Sequence, residues 1–488
     1  MSKSESAALA FKGATADRWD VIQTTDMDDR GSAGAEIDRL DHLIARYGGR
    51  VPRYTSYPTA VQFSAAVDAA DYHQWLAGLG RADGAISIYI HVPFCAQLCW
   101  YCGCHTKVVN SRPPISEYVA DLLAEIDLVA DALSERLAIG SVHFGGGTPN
   151  MLSPDELTAI LDRLADRFAF ADETDIAVEI DPRVLSRNWI AAAARAGVDR
   201  ASLGVQDFCS DVQAAINRAQ PYELVARAVE ALRGAGIESI NLDLMYGLPR
   251  QSVANLEATI AEALSLTPDR LSLFGYAHVP WLKPHQKLIA DADLPDARAR
   301  LVMQRRAAAL FEVAGFQRLG LDHFARPIDR LATAAAEQRM RRNFQGYTTD
   351  TANVLLGFGA SAIGRLPQAY VQNAADVAHW RGQIEAGALP VTRGIALGAS
   401  DLFRAEIIER LMCDFRVDLG DVAVHHGRAV AGLAREQAML AEMEADGLVT
   451  LAGSVVNVTP EGRDFVRSVC AVFDRYLDRD CLRHAQGV

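Results

Sequence analysis

The stretch Ser87-Ile-Tyr-Ile-His91-Val-Pro-Phe-Cys95-Ala-Gln-Leu-Cys99-Trp-Tyr-Cys102-Gly-Cys104 decides how this chain is read. An apolar, β-rich run leads straight into a loop with four cysteines. The first three have the spacing Cys-x3-Cys-x2-Cys, which leaves a four-iron cluster one thiolate short of the usual four. The iron without a thiolate is where a further ligand can bind. Zinc sites usually draw cysteines in pairs from two loops, and no distant Cys-x2-Cys partner exists here; Cys209, Cys413, Cys470 and Cys481 stand singly. A structural zinc knuckle, a disulfide pair and reduced thiols without a role are the alternatives. The absence of a secretory signal peptide and of a regular cysteine framework speaks against disulfides.

Working outward, β-rich runs at 86–91, 140–144, 175–180, 199–205, 238–244 and 270–276 alternate with helix-period segments such as Ser116 to Leu133, Pro154 to Phe168 and Tyr222 to Gly234. This alternation predicts βαβ units around a parallel sheet. With six such units the expectation is an α/β fold, a partial barrel rather than a complete eight-fold one. Functional residues belong at the C-terminal ends of its strands, and the polar motifs fall there. Cys95 follows the first strand, Gly145-Gly-Gly-Thr-Pro149 the second, and Glu179-Ile-Asp-Pro182 the third. Gln206 and Asp207 end the fourth, Asp243 lies in the fifth, and Ala277-His278 closes the sixth.

Four segments are expected: a flexible tail (1–35), a helix from Glu36 to Tyr47 with an extended strap through Pro52–Thr59 (36–84), the partial barrel (85–315), and a mainly helical lid (316–488). In the last, helices followed by a hairpin around Gly453 suggest a winged-helix-like module. The formal net charge of -14 and the lack of a long basic run argue against nucleic acid or an anionic membrane as the main partner. No apolar run reaches the roughly 18 residues that span a bilayer. A cytoplasmic protein is expected.

An open iron can take the amine and carboxylate of S-adenosylmethionine, whose sulfonium accepts an electron and releases a 5'-deoxyadenosyl radical. The chemistry is the cofactor's and the orientation the protein's. Glycines without a Cβ suit a close approach to such a ligand, although a tight turn also explains Gly145-Gly-Gly-Thr-Pro149. Glu179 and Asp243 could bond ribose hydroxyls or an amino group, or simply cap strand ends. Arg218 could pair with a carboxylate or be solvated.

Together with Pro52-Arg-Tyr-Thr-Ser-Tyr-Pro-Thr59, Asp322-His-Phe-Ala-Arg-Pro327, Arg342-Asn-Phe-Gln-Gly-Tyr-Thr-Thr349 and Asp414-Phe-Arg416, these motifs resemble the oxygen-independent coproporphyrinogen III oxidase family of radical S-adenosylmethionine enzymes over roughly 430 residues. The resemblance implies that Cys95, Cys99 and Cys102 hold a 4Fe-4S cluster. It implies that Tyr89, Tyr101, Gly146, Glu179 and Ile363 surround one S-adenosylmethionine. A second would use Gly147, Thr148, Gln206, Arg218, Asp243 and Ala277. Cys104, Tyr89 and Gln345 are the catalytic candidates. Cys104 separates the family from haem-chaperone-like paralogues, and its own role stays open between chemistry and a small buried residue.

The implied reaction converts two propionates of coproporphyrinogen III to vinyl groups, giving protoporphyrinogen IX, with a low-potential electron donor and a monomeric enzyme. An acidic chain must then place cations locally for a substrate with four carboxylates. Arg53, His323, Arg326 and Gln345 are the candidates, against a role in internal salt bridges. The rival functions are a haem chaperone and a radical tetrapyrrole methyltransferase on the same barrel. One departure from the family pattern is Gly275, where Asn is frequent.

Overall fold

The computed structural model describes residues 30–477, so most of the expected tail, and Cys481, lie outside the described residues. Helix α1 spans Arg30–Tyr47 and so begins ahead of the expected Glu36. Gly31 and Gly34 conceal the extension in the sequence, since glycine costs a helix about 1 kcal/mol relative to alanine.

The strap that follows is bent rather than extended. Tyr54 takes φ +49°, and Tyr54 and Tyr57 are buried in an apolar cluster with Phe403, Leu411 and Phe473. Tyr54 OH donates to Asp474 Oδ2 (3.1 Å), and Tyr57 OH accepts from the Arg475 N–H (3.0 Å). The tyrosines thus anchor the strap to the far end of the chain.

Strands β1 (Ile86–Val92), β2 (Ala138–Gly146), β3 (Ala169–Ile180), β4 (Arg200–Gln206), β5 (Ser239–Tyr246) and β6 (Arg270–Gly275) pair in parallel, each with the next. Helices α2 (Pro113–Asp131), α3 (Pro154–Arg167), α4 (Arg187–Arg195), α5 (Tyr222–Gly234) and α6 (Val253–Ser265) supply the crossovers, and α7 (Ala297–Val313) follows β6. Helix α3 shows why the sequence starts it at Pro154. Ser153 Oγ accepts the Glu156 N–H while Glu156 Oε2 accepts the Ser153 N–H, a reciprocal cap in front of a proline whose missing N–H costs nothing there. Leu157, Ile160, Leu161 and Leu164 fill one face and are buried, each contributing roughly 1.5–3 kcal/mol.

Alternation along the strands sorts side chains between two environments. In β4, Ala201, Leu203 and Val205 belong to the apolar core, while Arg200, Ser202, Gly204 and Gln206 line a central cavity. The barrel interior thus carries polar side chains among apolar ones, and the hydrophobic core lies between sheet and helices.

The sheet does not stop at Gly315, where the barrel was expected to end. β7 (Gln317–Leu319) and β8 (His323–Ala325) extend it antiparallel beyond β6, and β9 (Leu355–Phe358) joins parallel to β1 on the other side. β10 (Ile363–Leu366), β11 (Ala369–Asn373) and β12 (Val391–Ala396) complete twelve strands in the order β12-β11-β10-β9-β1-β2-β3-β4-β5-β6-β8-β7. These strands have three to six residues each, too short for period-2 alternation to stand out. The helical unit begins at α8 (Ala399–Asp414), followed by β13 (Arg416–Asp418), α9 (Leu419–His425), α10 (Ala434–Ala445), the hairpin β14 (Val449–Ala452) and β15 (Val455–Val458), and α11 (Val466–Ala471). Its three-stranded sheet against helices is winged-helix-like. Among the described residues no helix is long and apolar enough to cross a membrane.

Candidate active site

A cavity of about 580 Å³ occupies the barrel, with the cysteine loop at its mouth. The loop is closed at its base, where Phe94–Cys95 pairs with Lys107–Val108. Its carbonyls are then fastened one by one. Leu98 O accepts from Asn217 Nδ2 (2.8 Å), Tyr101 O from Gln286 Nε2 (2.9 Å), Cys102 O from His285 Nε2 (2.8 Å) and Cys104 O from Lys283 Nζ (3.0 Å). A glycine-poor, exposed loop is held in one shape by side chains from distant parts of the chain.

The three sulfurs face donors. Thr148 Oγ1 lies 3.4 Å from Cys95 Sγ, Arg218 Nη1 and Arg183 Nη2 lie 3.5 and 3.6 Å from Cys99 Sγ, and the Cys104 N–H lies 3.4 Å from Cys102 Sγ. Hydrogen bonds from the Cys104 side chain and N–H bring the Cys102 thiol down to about 6 against the opposing effect of burial. Burial holds Cys95 up at about 11. Among the described residues, Glu406, His425 and His426 are the group whose ligand atoms all fall within 4.8 Å of one another. Sulfurs converging on one cavity, ringed by cationic and N–H donors, fit an iron-sulfur cluster.

The glycine run sits against this loop. Gly146 has φ +112°, and a Cβ there would come within 2.5 Å of the His91 ring. A Cβ at Gly147 would lie 2.7 Å from Phe94 O. Both positions therefore need glycine to keep the run packed under the cysteines. The Gly146 N–H donates to Glu179 Oε2 (3.1 Å), and His143 Nε2 faces Glu179 Oε1 (3.2 Å). Burial raises the Glu179 pKa, but these two partners outweigh it and hold the carboxyl below its ordinary value. Asp243 behaves oppositely. It accepts from Ser202 Oγ and Asn241 Nδ2, both at 2.8 Å, yet burial leaves its pKa raised.

Tyr101, Gly146, Gly147, Thr148, Glu179, Gln206, Arg218, Asp243 and Ala277 all line the cavity with the cysteines. Gln206 does so from φ +70°, at a register shift between β4 and β5. Arg218 is more constrained than the sequence suggests: its Nη2 donates to Gly204 O (2.6 Å), its Nη1 lies 3.5 Å from Asp181, and it is buried. Tyr89 is buried below the glycine run, its OH donating to His91 Nδ1 (3.0 Å). Ile363 sits on β10, two strands from β1, and is not among the lining residues.

Of the expected substrate-binding residues, Arg53, His323 and Gln345 line the cavity and Arg326 does not. β8 runs antiparallel to β6, with Ala325 opposite Arg270, so the chain reaches Arg326 at the N-terminal end of the barrel strands. There its guanidinium bonds Pro268 O and covers the Phe316 ring. The Gln345 Oε1, by contrast, is enclosed without a hydrogen-bond partner.

Sequence reasoning missed Arg183, His91, His143 and the pinning residues Lys283, His285 and Gln286. Arg183 was findable, since it follows the Asp181-Pro182 strand end and grips Asp181 through Nε and Nη2 at 2.6–3.1 Å. His143 was findable by counting two residues back from Gly145 along the strand. The loop-pinning residues carry no local signal. It also missed Arg200 and Arg270 on the cavity floor, paired with Asp175 (3.6 Å) and Asp329 (2.8 Å).

The radical SAM superfamily pattern matches residues 89–263, and the HemN C-terminal domain pattern matches 398–465. An oxygen-independent coproporphyrinogen III oxidase of Bradyrhizobium diazoefficiens is 46% identical over 92% of this chain and 100% of its own length. One from Paracoccus denitrificans is 41% identical over 91% and 97%. The solved Escherichia coli coproporphyrinogen III oxidase, described as a radical SAM enzyme, superposes with a TM-score of 0.83 at 36% identity, covering 87% of this chain and 98% of that one. With its cysteine loop, strand-end site and both domain patterns, the chain belongs to the oxygen-independent coproporphyrinogen III oxidase family of radical SAM oxidoreductases.

Proposed function

We propose that this protein decarboxylates two propionate side chains of coproporphyrinogen III oxidatively, giving the vinyl groups of protoporphyrinogen IX. The observation that carries the reading is one cavity lined by Cys95, Cys99 and Cys102, by the strand-end carboxylates, and by Arg53 and His323. Resemblance to relatives named for this activity along their full length supports it.

A 4Fe-4S cluster on the three cysteines, with S-adenosylmethionine at its open iron, supplies when bound the one-electron chemistry that removes a hydrogen atom from the propionate β-carbon. The chain's own residues do the positioning. Arg218 and Arg183 direct positive charge at the Cys99 sulfur, which offsets the negative charge of thiolates. Glu179, ionised beside His143, presents an acceptor for an ammonium or ribose hydroxyl, and Gly146 lets that ligand approach the backbone. Asp243, nearer neutrality, is suited to sharing a proton with hydroxyls. Arg53 and His323, which line the cavity, receive carboxylates. Loss of the hydrogen atom to the adenosyl radical, of carbon dioxide, and of one electron to a separate one-electron acceptor balances each vinyl group, so two S-adenosylmethionine molecules are consumed per product. Gly147, Thr148, Gln206, Arg218, Asp243 and Ala277 would hold the second molecule; all six line the same cavity, although Thr148 and Arg218 also serve the sulfurs. We place the protein in the cytoplasm as a monomer fed by a low-potential donor.

The test is anaerobic reconstitution with iron and sulfide, then addition of coproporphyrinogen III, S-adenosylmethionine and a low-potential reductant. Protoporphyrinogen, methionine and 5'-deoxyadenosine are expected together. Tight haem binding without decarboxylation would point to a chaperone, and a methylated tetrapyrrole to a transferase.

A further inference from the structure

A second, smaller cavity of about 30 Å³ lies behind the wall made by Gly275, Tyr276 and Ala277, residues that also line the main cavity. Three arginines from separate elements face it: Arg53 from the strap, Arg300 from α7 and Arg467 from α11. Asp322 and Asp464 face it too, but both are already engaged. Asp322 meets His323 Nδ1 at 2.9 Å and lies 3.6 Å from Arg342 Nη1. Asp464 accepts from Arg305 Nε (2.7 Å) and Arg318 Nη2 (3.2 Å).

Arg300 Nε is enclosed with no hydrogen-bond partner, and its guanidinium lies 5.7 Å from the centre of the Tyr246 ring. An enclosed donor left unmet is costly. The arginines also repel one another: burial, and then Arg53, lower the Arg467 pKa to about 10, and the same two causes lower that of Arg300. One anion would relieve both costs. The cavity is on the scale of one or two waters, room for a carboxylate group and not for a ring. Guanidinium forks match carboxylates in shape as well as charge.

The wall is thin at Gly275. Its carbonyl accepts from Arg53 Nη2 (2.5 Å), and a Cβ there would press to 2.8 Å from Tyr246 OH. Arg53 thus stands in both cavities and links them. None of the residues facing the small cavity belongs to the cysteine loop or the glycine run, so a carboxylate that chelates the cluster's iron is not its occupant.

We infer that Arg53, Arg300 and Arg467 form a carboxylate pocket that takes one propionate of the substrate while the tetrapyrrole lies in the main cavity. The ligand's identity rests on the proposed function; the pocket rests on the geometry. The probe is coproporphyrin III, the oxidised, fluorescent tetracarboxylate, titrated anaerobically into the full-length protein with its cluster reconstituted. Arg300→Gln and Arg467→Gln are expected to weaken binding about tenfold or more, as loss of a charged hydrogen bond does, and Arg300→Lys to recover part of it. Iron content and the S-adenosylmethionine-induced change in the reduced cluster's electron paramagnetic resonance spectrum should stay at parental levels, which also shows that the variants are folded. Equal porphyrin affinity in parent and Arg300→Gln would overturn the pocket. Loss of the S-adenosylmethionine response with porphyrin affinity intact would overturn the propionate and assign the pocket to that cofactor's carboxylate. A parent that answers to S-adenosylmethionine but does not bind coproporphyrin would instead sink the proposed function, and the propionate with it.

Discussion

His91 Nε2 lies 3.1 Å from the carbonyl oxygen of His105, so the last residue of β1 but one holds the far end of the cysteine loop. A carbonyl can only accept, which puts the imidazole proton on Nε2 and leaves Nδ1 to accept from Tyr89 OH (3.0 Å). The ring is neutral and its hydrogen bonds are complete.

Burial lowers the His91 pKa to about 4, below the ordinary value near 6.5. The unfolded chain then binds a proton that the folded chain does not, so this group's stabilisation is present above about pH 6.5 and is lost as the pH falls toward 4. The linked loss is on the order of 3 kcal/mol. We expect denaturant unfolding of the iron-free protein at pH 7 and pH 4.5 to differ more for the parent than for His91→Gln. At pH 7 the variant should also retain less iron after reconstitution, because the loop loses a latch. Identical pH dependence in the two proteins would rule out His91 as the acid-sensitive group.

Cys104 is exposed and lines the cavity with the other three, but among the described residues no donor to its own sulfur matches those at Cys95, Cys99 and Cys102, the last of which it supplies itself through its N–H. We therefore expect Cys104→Ser to keep most of the parental iron and Cys95→Ser, Cys99→Ser or Cys102→Ser to lose nearly all of it. Iron and sulfide analysis with the visible spectrum decides this. Should Cys104→Ser lose its iron as fully as Cys102→Ser, the loop would have to be redrawn with four ligands.

How legible the molecule was depends on how local each signal is. The parallel strands were legible because apolar runs and crossover helices repeat along β1 to β6, and the motifs at their ends are contiguous in sequence. The loop itself was legible from cysteine spacing. The added strands β7 to β12 were not, since three to six residues cannot carry a period, and the two pairings that attach them to the barrel, β8 with β6 and β9 with β1, join segments far apart in the chain. Arg326 misled for a related reason: it follows the cavity-lining His323 by three residues, yet the antiparallel course of β8 carries it past the N-terminal end of β6. Lys283 and His285, which fasten Cys104 and Cys102, sit at the start of a five-residue 3-10 helix after β6, too short to carry a pattern that marks them.

Glu125 on α2 is fully enclosed and accepts from the Gly359 N–H (2.7 Å), Asn373 Nδ2 (2.6 Å) and Trp380 Nε1 (3.2 Å). Burial outweighs these donors and raises its pKa to about 8. The sign is opposite to that of His91. The folded state holds a proton that the unfolded state releases, so stability is fully present below about pH 4.5 and declines as the pH rises toward 8. The decline from this group is on the order of 4 kcal/mol. Glu125→Gln, whose amide can meet a turned Asn373 side chain, should flatten the fall between pH 5 and pH 8 in denaturant titrations. A variant that destabilises by the same amount at both pH values would mean that the carboxyl is ionised throughout.

Arg183 and Arg218 approach the same sulfur from the same anchor. Asp181 accepts from Arg183 Nη2 at 2.6 Å and lies 3.5 Å from Arg218 Nη1, while both guanidiniums reach Cys99. The two are not equivalent, because Arg218 is the more deeply enclosed and has a second anchor at Gly204 O. A positive charge near a cluster favours its reduced form, and the effect grows where water is excluded. Removing either charge should therefore make the cluster harder to reduce, Arg218→Gln more so than Arg183→Gln, with iron content little changed. Anaerobic redox titration of the reconstituted cluster, followed by electron paramagnetic resonance, gives the two midpoint potentials. Lower potentials should be accompanied by slower release of 5'-deoxyadenosine from S-adenosylmethionine. Arg218→Lys, which keeps the charge but not the fork, should fall between parent and Arg218→Gln. If all three variants share the parental potential, the guanidiniums only brace Asp181 and the loop, and any loss of rate would then come from misplaced ligands rather than from the cluster's electrostatics.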